Sequence, residues 1–95
     1  MLYALICTDK PGSEEKRLST RPDHLAYLNS LGDKLKAAGP FTDGSGTPNG
    51  SLIIVEAFDR GEAGLIAASD PYALTGLFES VDIRPWSWVI NNPED

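Results

Sequence analysis

Hydrophobic positions along the chain fall into short runs with two periodicities. LYALICT, residues 2–8, is an apolar run of strand formers closed by Asp9, Pro11 and Gly12, which predicts a buried strand. A polar lead-in, PGSEEKRLS, follows with about one irregular helical turn. Thr20 and, three residues on, Asp23 form a capping-box pattern, and Pro22 fits a first turn, so the first helix is expected to open at Thr20. Leu28, Leu31 and Leu35 recur at helical spacing, and His24 extends their row by one turn toward the N-terminus. Gly39-Pro40 is expected to end that helix and to pass through a short strand at Phe41 into the turn-rich DGSGTPNG.

SLIIVEAF, residues 51–58, predicts the next strand. Asp59 and Glu62 repeat the capping logic for a second helix whose Ala63, Ile66 and Ala67 can face a sheet. Asp70-Pro71 breaks that helix, a short turn spans Tyr72 to Phe78, and VDIRPWSWVI alternates as a closing strand. The order strand, helix, strand, strand, helix, strand over residues 1–95 predicts a single α+β domain. Its pattern is the ferredoxin-like β-α-β-β-α-β, an antiparallel sheet with its helices on one face.

The strands carry a second message. In an isolated domain of this kind the far face of the sheet meets water and alternates to polar residues. Here both alternating sets of LYALICT are largely apolar, SLIIVEAF supplies four consecutive apolar residues, and Trp86, Trp88 and Ile90 make a further apolar row. Such a face needs a cover, and a second copy of the same surface provides one, which predicts a homodimer packed sheet on sheet.

Composition narrows the partners. At 95 residues the domain buries only about two-thirds of the surface its unfolded chain exposes, so a partner subunit helps it. The net charge of -6 is spread along the chain and opposes a phosphate backbone, which argues against nucleic acid. No apolar run approaches the roughly 20 residues that span a bilayer, and LYALICTD has no basic lead-in or small-residue cleavage site. A cytoplasmic protein is expected. The single Cys7 cannot form an internal disulfide and fits as a small buried hydrophobe. One histidine and one cysteine without clustered ligand spacing argue against a dedicated metal site, and no cofactor is implied.

His24 is the one side chain whose ordinary pKa suits proton transfer near neutrality, and its expected place at a helix N-terminus favours the neutral ring. On spacing alone an ordinary helix residue packing its ring is the better fit. Asp70 is either a helix cap preceding a first-turn proline or the carboxylate that orients an imidazole. In the plain topology the start of the first helix and the end of the second lie at opposite ends of the helical layer. A His24–Asp70 contact then requires the lead-in loop, a short second helix or a partner subunit, failing which Asp23 or Asp9 is the nearer partner for His24. Tyr72 and Trp86 are candidates to line a pocket between helices and sheet, and Arg84 is a candidate to bind a substrate carboxylate, although core packing and an exposed strand charge account for them as well. DGSGTPNG fits a strand–strand connection better than a phosphate loop.

The pieces RPDHLAYL, AAGPF, NGSLIIVEA, SDPYALTGLF and VDIRPW, in this order, resemble the YciI-like (YCII-related) family across nearly the whole chain. The resemblance implies a fold similar to that of muconolactone isomerase, dimers of ferredoxin-like subunits whose sheets close into an α+β barrel. It also implies a site made of a histidine at the start of the first helix and an aspartate before a proline, which here are His24 and Asp70. Two functions follow as expectations. One is a cofactor-independent enzyme, an isomerase or lyase, using the His24–Asp70 pair for proton transfer on a small lactone- or muconate-like compound. The other is a non-catalytic dimeric module that binds a small ligand or a protein.

Overall fold

The computed structural model describes residues 1–94. Strand β1 (Leu2–Asp9) leads into α1 (Glu14–Ser30), a 3-10 turn at Gly32–Lys34, β2 (Leu35–Thr42) and β3 (Pro48–Glu56). Helices α2 (Arg60–Ala68) and α3 (Pro71–Leu74) and strand β4 (Phe78–Trp86) complete the chain. The sheet is antiparallel with order β2-β3-β1-β4, so the two central strands are the two most apolar ones. This is the ferredoxin-like α+β architecture expected from the pattern of elements, with a short third helix added.

Alternation along the strands separates two faces. Tyr3, Leu5 and Cys7 of β1 and Ile53 and Val55 of β3 join Leu28 of α1 and Ala63, Ile66 and Ala67 of α2 in the core. The Tyr27 hydroxyl donates to the Ile66 carbonyl at 2.8 Å and ties α1 to α2. At the start of α2 the backbone N–H of Glu62 donates to Asp59 Oδ1 at 2.9 Å while Glu62 Oε1 accepts from the Phe58 N–H, so the predicted cap is present. DGSGTPNG joins β2 to β3 as expected, folded around Asp43 Oδ1, which accepts from the N–H groups of Ser45 and Thr47.

Three expected boundaries move. α1 opens at Glu14, not Thr20; Ser13 precedes two acidic residues in the first turn, and Pro22 lies inside the helix. A proline there removes the N–H that would bond the carbonyl of Leu18, four residues back, and crowds that carbonyl with its ring; Leu18 is exposed, so the carbonyl lies on the solvent side of the helix. α1 also ends earlier, where Gly32 adopts a φ of 58°, so Leu35 through Phe41 form a strand instead of continuing the helix. Pro40 is tolerated because β2 is an edge strand that pairs only with β3. The last strand begins at Phe78 and ends at Trp86, leaving Trp88 and Ile90 in an irregular tail instead of an alternating row.

Gly50 is required by close approach: a Cβ there would lie 2.5 Å from the Cys7 carbonyl oxygen across the β1–β3 ladder. No helix among the described residues is long and apolar enough to cross a membrane.

Candidate active site

The early start of α1 brings Arg17, Thr20, His24 and Leu28 onto one buried stripe. His24 therefore sits in the third turn of α1, where the charge of a helix N-terminus no longer acts on it. Opposite, the short α2 ends at Ala68 and the chain turns at once into α3. Asp70 caps α3, its Oδ1 accepting from the Tyr72 N–H at 2.9 Å, with Pro71 as the first helical residue. The same carboxylate faces His24, and Nδ1 of the ring lies 2.8 Å from Oδ1 and 2.9 Å from Oδ2. The two roles weighed for Asp70 coexist, and the pair forms within one subunit because α1 is long and α2 short. Asp23 and Asp9 are not involved with His24: Asp23 is exposed and Asp9 is paired elsewhere.

Both members are enclosed, His24 at 7% exposure and Asp70 at 2%. A carboxylate beside Nδ1 holds the proton of a neutral imidazole on that nitrogen and leaves the lone pair on Nε2. Nε2 has no hydrogen-bond partner among the described residues, and no buried side-chain nitrogen or oxygen there is both sealed and unpaired. The basic nitrogen is thus open to the cavity that His24 lines.

Tyr72 adds a wall. Its ring stacks on the imidazole with centroids 3.9 Å apart and planes at 15°, and the Arg17 guanidinium carbon lies 4.6 Å from its centroid. Arg17 and His24 are two turns apart on α1, and the tyrosine ring fills that interval. Arg17 is fixed in turn by Asp9, with Nε–Oδ2 at 2.7 Å and Nη2–Oδ1 at 3.0 Å, and Nη2 also donates to Ser51 Oγ at 2.9 Å. Burial opposes the charge on Arg17, yet the hydrogen bonds and charge of Asp9 outweigh it and hold the guanidinium above its ordinary pKa. Burial pushes the Tyr72 phenol up as well, against the opposing charges of Arg17 and Arg21, so its hydroxyl keeps its proton at neutral pH. That hydroxyl lies beside the Arg17 guanidinium and donates to no group among the described residues, which leaves its proton available to the cavity.

The cavity, of about 360 Å³, lies between α1 and the β2–β3 hairpin. Its size suits a compound of one ring. Leu25, Leu28 and Ile53 make an apolar end, while Arg17, Arg21 and Ser51 make a polar one, with Pro40 opposite Ser51 in the β2–β3 register. No group of three or more His, Cys, Asp or Glu side chains among the described residues is placed to hold a metal ion.

Of the candidates drawn from the sequence, His24, Asp70 and Tyr72 come together. Trp86 and Arg84 do not. They pair with Leu2 and Ala4 in the β1–β4 register, on strand positions that face away from the helices, and they line a groove on the far side of the sheet with Ile6, Leu52 and Ile54. Strand parity decides this, since Ile83 and not Arg84 packs toward the core. Arg17 was missed as a site residue because the stretch before Thr20 reads as a polar lead-in; Asp9, weighed only as a partner for His24, and Ser51 were missed with it as its partners. The signal for Arg17 was its seven-residue spacing from His24, which places both on one face once the helix is extended.

Comparison with known proteins gives the family and the fold. Protein YciI of Escherichia coli is 39% identical over 97 residues, covering 94% of this chain and 99% of that protein. An uncharacterized protein of Haemophilus influenzae is 33% identical over the same coverage. Among solved structures, the 5-chloro-2-hydroxyhydroquinone dehydrochlorinase TftG from Burkholderia phenoliruptrix, in complex with 2,5-dihydroxybenzoquinone, superposes with a TM-score of 0.88 at 30% identity, over 97% of this chain and 99% of that one. An antibiotic biosynthesis monooxygenase shares the fold alone, with a TM-score of 0.57 at 16% identity over 94% of this chain and 99% of that one. The model of the YCII-related domain matches residues 1–87, and the chain belongs to that family.

Proposed function

We propose that this protein is a cofactor-independent enzyme that moves protons on a small oxygenated compound, by isomerisation or elimination. His24 is the general base and Asp70 the residue that orients it. The observation that carries the proposal is the engagement of Nδ1 by both carboxylate oxygens while Nε2 stays unpaired toward a cavity of one-ring size. The dehydrochlorinase relative directs the substrate class toward hydroxylated quinones and hydroquinones, alongside lactone- and muconate-like compounds.

In the proposed step Nε2 takes a proton from the substrate, and the imidazolium that forms is stabilised by Asp70. In an isomerisation the proton returns to a different atom. In an elimination the freed electron pair makes the new π bond, the leaving group departs with its own pair, and the proton passes later to water. Negative charge that develops on a substrate oxygen meets the Tyr72 hydroxyl and the Arg17 guanidinium as donors. Leu25, Leu28 and Ile53 keep the apolar end dry.

The test uses chloride release from 5-chloro-2-hydroxyhydroquinone and solvent-deuterium exchange into small cyclic enones and lactones. His24→Ala should lower any turnover by about 10²- to 10⁴-fold while leaving the fold intact. Unchanged turnover in a folded His24→Ala protein rules the proposal out.

We also propose that the protein is a homodimer joined through the far face of the sheet. The support is apolar character on that side, where Ala4, Ile6, Leu52, Ile54, Trp86 and Trp88 line one groove.

A further inference from the structure

We infer that the cavity beside His24 selects a one-ring organic anion, and that Arg21 is the residue that sets this preference. The inference rests on the cavity being the substrate site, and it adds the charge of the substrate and the residue that reads it.

Residues 14, 17, 18, 21, 24, 25 and 28 of α1 all line the cavity, so one stripe of the helix forms its wall. Arg17 and Arg21 lie on one side of His24, together with Glu14 and the exposed Leu18, and Leu25 and Leu28 lie on the other. A ligand that spans it places an apolar ring against the leucines and an oxygen-bearing edge against the arginines, with His24 between.

The two arginines differ in what they have left to give. Arg17 is committed to Asp9 and Ser51 through Nε and Nη2. Arg21 forms no salt bridge and no side-chain hydrogen bond among the described residues, and it stands exposed at the rim. Its charge already reaches inward, since it opposes the upward push on the buried Tyr72 phenol.

The carboxylates nearby do not cancel this. Asp9 and Asp70 do not line the cavity, and their oxygens are engaged by Arg17, by His24 and by the Tyr72 N–H. Glu14 does line it, but it sits two turns from Arg21, about 10 Å along the helix. The groups offered to a ligand are therefore chiefly donors: the Arg21 guanidinium, the Tyr72 hydroxyl and the free edge of Arg17. A molecule with a net charge of -6 repels anions in general, so an anion retained here is held by local contacts.

The probes are 2,5-dihydroxybenzoquinone, which is ionised at neutral pH, and its uncharged dimethyl ether, titrated against the full chain. The wild type should bind the anion at least about tenfold more tightly than the ether, as charge-assisted contacts allow, and rising salt should erode the difference. Arg21→Gln should bring the two affinities close to parity. Lys34→Gln, which removes one positive charge at a residue paired with Glu62 outside the cavity, should leave the preference unchanged. The inference is overturned if the preference survives in Arg21→Gln, if the ether binds as tightly as the anion, or if the anion does not bind at all. His24→Ala should keep the preference while losing turnover. Loss of turnover without loss of preference separates this result from the fate of the proton-transfer mechanism.

Discussion

At the scale of single residues, enclosure decides what each polar group can do. His24 keeps one nitrogen for the fold and one for the cavity, and Asp70 divides its oxygens between a helix N-terminus and an imidazole. Cys7 shows the opposite outcome. It lies on the core side of β1, where burial, reinforced by the negative charge of Asp70, pushes the thiol up to about 12 from 9.0. The folded protein therefore keeps the Cys7 proton over a range in which the unfolded chain loses it. Below pH 9 both states are protonated and the thiol contributes nothing to pH dependence. Between 9 and 12 the unfolded state ionises first, and stability falls by up to about 1.4 kcal/mol per pH unit from this group. Urea midpoints at pH 7.5 and pH 10.5 should fall more steeply for wild type than for Cys7→Ala; equal falls would show that the buried thiol is not a source of alkaline instability. At neutral pH the native thiol should also resist alkylation until urea is added.

At the scale of elements, much of the fold is legible in the sequence because three apolar runs with strand character, and a short strand at Phe41, alternate with two helical stretches. The β-α-β-β-α-β order, the capped start of α2 and the strand–strand connection at DGSGTPNG all follow from local chemistry. The helix boundaries do not, because Pro22 and the Thr20–Asp23 pair imitate an N-terminus inside a helix whose real signal, Glu14 and Glu15 after Ser13, is less distinctive. Gly39-Pro40 likewise imitates a helix end where an edge strand tolerates it. These boundary errors hid Arg17 and made the contact within the His24–Asp70 pair look distant, since a helix that begins at Thr20 leaves Arg17 in a loop and sets His24 far from Asp70. The short α3 is what joins them, and it gives a prediction in which capping and orientation come apart. Asp70→Asn keeps a good cap for the Tyr72 N–H but offers Nδ1 no carboxylate, so turnover should drop by about 10²-fold or more with little change in melting temperature. Asp70→Ala loses both, and should add about 1 kcal/mol of destabilisation to the same loss of turnover. Equal turnover in wild type and Asp70→Asn would reduce Asp70 to a helix cap.

At the scale of the whole molecule, the two sides of the sheet have different tasks. The helix side holds the core and brings His24, Asp70 and Tyr72 together within one chain. The far side carries Ile6 opposite Leu52 in the β1–β3 register, both only half-buried, with Trp86 and Trp88 at the rim of the same groove. An open apolar sheet face on a domain this small leaves stability unrealised, and the proposed packing of two such faces would recover it without touching the cavity on the other side. Light scattering at micromolar concentration should therefore report a dimer for the wild type. Leu52→Lys places a charge at the centre of the far face while Ile53 and Val55 stay on the core side, so it should yield a monomer that remains folded, with a melting temperature lower by on the order of 5 °C or more. The same monomer should still bind 2,5-dihydroxybenzoquinone, because every residue that lines the cavity in this chain comes from one subunit. A wild type that is monomeric at that concentration would refute sheet-on-sheet association. A Leu52→Lys monomer that folds but loses the ligand would show instead that the partner face braces β2 and β3, the two strands that close the cavity opposite α1.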